Sequence, residues 1–108
     1  MDNIEQTVFQ IILHGGNGRS SAMEAIAFAK QADFIKAGAK LQEAQEALNE
    51  AHKSQTSLIQ AEIRGERNEV TLLMVHAQDH LMNAMTIKDM ATEFVSLYEK
   101  MKKGEGEV

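Results

Sequence analysis

Not one proline occurs in this chain of 108 residues, and that absence constrains the fold more than any motif does. Proline removes a donor from the helix ladder and clashes with the preceding turn, so nothing here forces a long helix to break. Apolar residues then recur at helical spacing through three long segments. The first runs from about Asn3 to Gln31, on Ile4, Val8, Ile11, Ile12, Ala22, Met23, Ile26 and Ala27. The second, about Asp33 to Arg64, carries Phe34, Ala37, Leu41, Ala44, Leu48, Ala51, Leu58, Ile59 and Ile63. The third, about Glu69 to Lys102, carries Val70, Leu73, Met74, Ala77, Leu81, Ala84, Met85, Ala91, Phe94, Val95, Tyr98 and Met101. Good helix formers are abundant, whereas β-branched residues are scattered rather than gathered into alternating runs. The expected fold is all-α.

Local signals place the ends of these helices. Asp33 suits the N-cap of the second and Gly65 a stop after it. Lys100, Lys102 and Lys103 suit the negative end of the third helix dipole. Residues 1–103 are therefore expected to form one helical domain, with 104–108 a flexible C-terminal tail. The uncertain stretch is Gly15-Gly16-Asn17-Gly18, where each glycine costs a helix roughly 0.8–1 kcal/mol relative to alanine. One continuous helix, kinked or straight, is the preferred reading. Its glycines would let another backbone or a partner come close. Two helices joined by a turn is the alternative. A phosphate-cradling loop is disfavoured, because no strand precedes the glycines and no Gly-Lys-Ser/Thr follows.

Short connections make neighbours antiparallel, so the architecture expected is an up-down-up three-helix bundle. Helices of ~30 residues would be ~45 Å long. Leu72, Leu73, Met74, Val75 and Ala77 cannot all face one core, and surplus apolar surface marks contact with another chain. The bundle is expected to be an oligomer.

Charge and composition exclude several function classes. A net charge of −5 argues against nucleic-acid binding, which rests on Lys and Arg neutralising phosphates. Apolar stretches such as Thr71–Ala77 are far short of the ~20 residues that span a membrane. The N-terminus, Met1-Asp2-Asn3-Ile4-Glu5, lacks the basic and apolar regions of a signal peptide. A cytoplasmic location is the expectation. With no cysteine there is no disulfide, thiolate metal site or cysteine nucleophile.

Histidines remain as the groups able to do chemistry: His14, His52, His76 and His80. On a helix His76 and His80 are i,i+4 neighbours and Asp79 is i+3 from His76, so the three share a broad face. An imidazole beside a carboxylate can act as nucleophile, general base or metal ligand. The zinc-protease pattern requires Glu directly after the first His, and Ala77 stands there. Spacing alone does not choose among these uses, and by itself favours histidines with structural roles.

Longer motifs shift that balance. Ala47-Leu48-Asn49-Glu50-Ala51-His52-Lys53-Ser54-Gln55-Thr56 and Met74-Val75-His76-Ala77-Gln78-Asp79-His80-Leu81-Met82 closely resemble the lactose/cellobiose class of enzyme IIA. That is a component of the bacterial phosphoenolpyruvate-dependent sugar phosphotransferase system. Gly18-Arg19-Ser20 and Leu97-Tyr98-Glu99-Lys100 are similar to the same family, so the resemblance covers nearly the whole chain. It is strongest toward members serving cellobiose, lichenan products or other β-glucosides.

The resemblance implies a homotrimer of three-helix bundles. It implies that His76 accepts phosphoryl from phospho-HPr on Nε2, as a tele-phosphohistidine, and donates it to a cysteine of enzyme IIB. It places Asp79 at the trimer axis, where three copies would share a magnesium ion. Close carboxylates repel without a cation, and oxygen ligands suit a hard ion. His80 and Gln78, with His52 and Gln55 from the second helix, are candidate pocket residues. His14 and Arg19 carry weaker expectations, and Met74, Met82, Met85 and Met90 are read as packing. Contact with the membrane would run only through enzyme IIC. The lack of cysteine fits the IIA role and excludes the IIB role. Asn83, where Thr is common, and Gly16-Asn17-Gly18, where Ala often precedes Arg, are departures from the pattern. They leave detail in the first helix open, as does the choice of sugar.

Overall fold

The computed structural model describes residues 3–106 and contains three helices, α1 (Asn3–Lys30), α2 (Phe34–Ile63) and α3 (Leu72–Gly106). They run up, down and up, with α1 packed against both others and α2 and α3 touching less. The body measures 62 × 22 × 19 Å. Its length exceeds the sequence expectation because α3 alone, at 35 residues, spans ~52 Å.

The C-terminal ends of α1 and α2 close in the same way. After α1, Ala32 adopts φ 61°; its N–H donates to the Ala29 carbonyl and that of Asp33 to the Phe28 carbonyl, each at 3.0 Å. These bonds satisfy two of the last-turn carbonyls of the helix. Asp33 then caps α2 as expected, accepting from the Lys36 N–H at 3.1 Å. After α2, Gly65 takes φ 88°, and the N–H groups of Gly65 and Glu66 donate to the Glu62 and Ala61 carbonyls at 3.0 Å. Glycine supplies the left-handed conformation there without steric penalty.

Three expectations need correction. The third helix starts at Leu72 rather than near Glu69, because the Thr71 hydroxyl accepts from the Met74 N–H at 3.1 Å and acts as its cap. Val70 consequently lies outside the helix and is 70% exposed. The same helix does not stop near Lys103: Gly104, Glu105 and Gly106 are helical, and residues 107 and 108 of the expected tail lie outside the described residues. Several apolar positions also miss the core. Ile59, Ile63, Met23, Phe94 and Met101 are exposed, since the buried stripe on each helix is narrower than the apolar one.

The core is built mostly from alanine. At one end Val8, Ile11, Leu48, Ala51, Ala77, Leu81 and Ala84 pack together. A waist layer consists of Ala22, Ala44 and Ala91. Ala25, Ala29, Ala37 and Val95, flanked by Phe28, Phe34, Leu41 and Tyr98, close the other end. Small residues let the helix axes approach closely. A cross-helix charge pair adds a tie, with Lys40 Nζ 3.4 Å from Glu24 and 2.9 Å from Glu43. The hydrogen bond to Glu43, then the charge of Glu24, hold its ammonium protonated to higher pH than usual.

The Gly15–Gly18 segment does not break α1. A Cβ on Gly18 would lie 2.7 Å from Cγ and Cδ2 of Leu48, which is only 4% exposed and has little room to yield. Gly18→Ala is therefore expected to destabilise the protein by about 1–3 kcal/mol through overpacking. The intrinsic preference of helices for alanine, about 1 kcal/mol, offsets part of it. Urea unfolding checks this; a variant more stable than the parent by about the full 1 kcal/mol of helix preference would contradict the packing.

Candidate functional site

His76, Gln78, Asp79 and His80 lie on the first turns of α3, where Gln55 reaches Gln78 from the C-terminal half of α2 and His80 lies beside the middle of α1. His76 and Asp79 are exposed, while Gln78 and His80 are half-buried. Helical periodicity explains the split: Ala77, Leu81 and Ala84 are fully buried, and the positions flanking that stripe turn partly outward. The rings of His76 and His80 stack, with centroids 5.9 Å apart and planes 17° from parallel. His80 also lies against α1. A Cβ on Gly16 would come within 3.3 Å of its Nε2 and one on Gly15 within 3.4 Å of its Cδ2.

On the α2 side, Gln55 Nε2 donates to Gln78 Oε1 at 2.6 Å. This bond fixes both amides and ties α3 to α2 directly beside the histidine turn. Gln55 and Gln78 are thus brought together, but as partners of each other. His52 is placed differently. It is exposed and lines a separate groove with Asn49, Met85, Lys88 and Asp89. His14 Nε2 donates to Gln10 Oε1 on its own helix at 2.9 Å, and Arg19 is exposed.

The outer side of α3 is apolar around the acidic residue. Leu72, Val75, Met82, Met90 and Leu97 are all exposed by half or more, and Asp79 stands among them. Among the described residues no three His, Asp or Glu side chains within one protomer form a metal-binding group. A zinc cage from His76, Asp79 and His80 is therefore not assembled. Asp79 alone offers one hard carboxylate, with no hydrogen bond or ion pair in its own protomer among the described residues. Such a donor suits a divalent ion only if other copies contribute theirs.

Comparison with known proteins decides the family. The model of the lactose/cellobiose-specific IIA subunit of the phosphotransferase system matches residues 6–99. The chain belongs to this family. It is 65% identical over 105 residues to the lichenan-specific phosphotransferase enzyme IIA component of Bacillus subtilis (strain 168), spanning 97% of this chain and 96% of that protein. The crystal structure of the cellobiose-specific enzyme IIA of Bacillus anthracis superposes with a TM-score of 0.92 at 53% identity, covering 95% of this chain and 94% of that one. A solution structure of the chitobiose IIA–HPr complex from Escherichia coli matches with a TM-score of 0.81 at 40% identity, covering 94% and 99%. The chain is thus a IIA phosphocarrier component of the cellobiose, lichenan and lactose type.

One feature of this cluster escapes sequence reasoning. The glycines of α1 mark a place of close approach, but their spacing says nothing of what approaches. The structure supplies the neighbours: Leu48, the Leu81 backbone and the His80 ring.

Proposed function

We propose that this IIA subunit carries phosphoryl on Nε2 of His76, taking it from phospho-HPr and giving it to a cysteine of enzyme IIB. The observation that carries the reading is an exposed imidazole on a helix surface, stacked on a second imidazole that lies against α1. An uncluttered ring nitrogen is a nucleophile near neutral pH. Its lone pair forms the P–N bond as the bond from phosphorus to the donor breaks. The loose transition state of this transfer asks the protein mainly to position the partners. His80 would orient His76 through the stack, and the Gln55–Gln78 bond would hold the turn between them in place. The sugar imported is of the β-glucoside, cellobiose or lactose type, in line with the lichenan-specific relative. The carrier would work in the cytoplasm and meet the membrane only through enzyme IIC.

The working form is a homotrimer, with the apolar outer side of α3 buried between copies and Asp79 near the axis. A magnesium ion there would neutralise the three carboxylates. Replacing Asp79 by leucine then removes the repulsion together with the need for the ion. In a chelator, the wild-type trimer should weaken by about tenfold or more in protomer affinity, while the Asp79→Leu trimer persists. Analytical ultracentrifugation with and without EDTA reads this directly; a wild-type trimer indifferent to EDTA would remove the shared-ion role.

Incubation with phosphoenolpyruvate, enzyme I and HPr tests the carrier assignment itself. The expected product is one acid-labile phosphoryl group per chain, located on His76 by mass spectrometry. An unmodified protein, or phosphoryl on another residue, would refute it.

A further inference from the structure

Three glycines interrupt the side-chain surface of α1, and packing between helices accounts for two of them. Gly18 faces Leu48, and Gly15 is buried, where a Cβ would lie 3.7 Å from Cα and 3.9 Å from N of Leu81 as well as 3.4 Å from His80 Cδ2. Gly16 differs from both. It is only half-buried, and beyond its own stretch of helix a Cβ there would meet, among the described residues, a single atom within 4 Å, His80 Nε2 at 3.3 Å. That is closer than the comfortable separation of non-bonded heavy atoms, so a methyl group would push the imidazole away from α1. The same imidazole stacks on His76. A shift of the ring by a few tenths of an ångström changes the face it offers to His76.

We infer that Gly16 is a positioning residue for phosphoryl transfer: its bare backbone sets how deeply the His80 ring lies on α1, and through that ring the orientation of His76. The inference rests on His76 as the acceptor. It also explains why a helix retains glycine at a half-exposed position where alanine would favour the helix.

The test compares wild type, Gly16→Ala, His80→Ala, the double variant, and Gly38→Ala as a control. A methyl group on Gly38 would meet nothing within 4 Å among the described residues, so its variant should transfer at the wild-type rate. Gly16→Ala should melt at or above the wild-type temperature, because a mid-helix glycine is lost, and should keep its assembly state. It should nevertheless accept phosphoryl from phospho-HPr about fivefold or more slowly. In the His80→Ala background, adding Gly16→Ala should leave the rate unchanged, since the methyl then has no ring to displace. Transfer by Gly16→Ala at the wild-type rate would overturn the proposal, as would equal losses in both backgrounds. Loss of fold or a changed oligomer would assign Gly16 to packing and overturn it too. A wild-type protein that takes no phosphoryl on His76 would instead refute the carrier reading beneath it.

Discussion

Replacing His76 by alanine is expected to abolish phosphoryl acceptance from phospho-HPr while leaving the bundle as stable as the wild type within about 0.5 kcal/mol. The two halves of that expectation have separate causes. His76 is exposed, and its ring touches His80 rather than the core; surface substitutions away from caps and buried networks usually shift stability by no more than that amount. The chemistry, by contrast, has no substitute. His80 is half-buried, with Nε2 held near Gly16, and His52 faces a different groove. Mass spectrometry after incubation with the donor proteins, combined with urea unfolding, reads both halves. Residual phosphoryl on His80 in the variant would show that the stacked pair shares the acceptor role.

A large effect of the opposite kind is expected one turn further into the helix. Leu81 is fully buried and lies in the apolar cluster of the site end. Leu81→Ala should cost about 2–5 kcal/mol, from lost burial together with the cavity left behind. A domain of this size has a total stability of about 5–15 kcal/mol, so this is a major fraction. Because assembly stabilises the fold by mass action, unfolding must be compared at one protomer concentration. A loss below about 1 kcal/mol would mean that Val8, Ile11 and Leu48 close over the gap. The two variants would separate the surface that reacts from the layer that holds it.

Much of this is legible in the sequence. Helix period and the absence of proline reveal three helices, and Asp33 and Gly65 mark their ends because capping is a local property. The start of α3 is not legible, since Val70 continues the apolar pattern and only the Thr71 hydroxyl decides where the backbone turns helical. Nor is the core boundary. Ile59 and Ala51 both belong to the apolar pattern of α2, yet one is half-exposed and the other fully buried in the cluster at the site end. At the site, spacing places His76 and His80 on one face and leaves their function open. The pairing of Gln55 with Gln78 joins residues 23 positions apart, and no local pattern encodes it.

The alanine waist has a mechanical consequence. Ala22, Ala44 and Ala91 are all completely buried, so any larger side chain there must prise stiff rods apart. His76 lies about 15 residues along α3 from Ala91, or ~22 Å. A tilt of ~3° about that fulcrum would swing the far end by ~1 Å, a misplacement large enough to slow a reaction that depends on alignment. The waist is a pivot, and its smallest side chains keep the distant lever arm still.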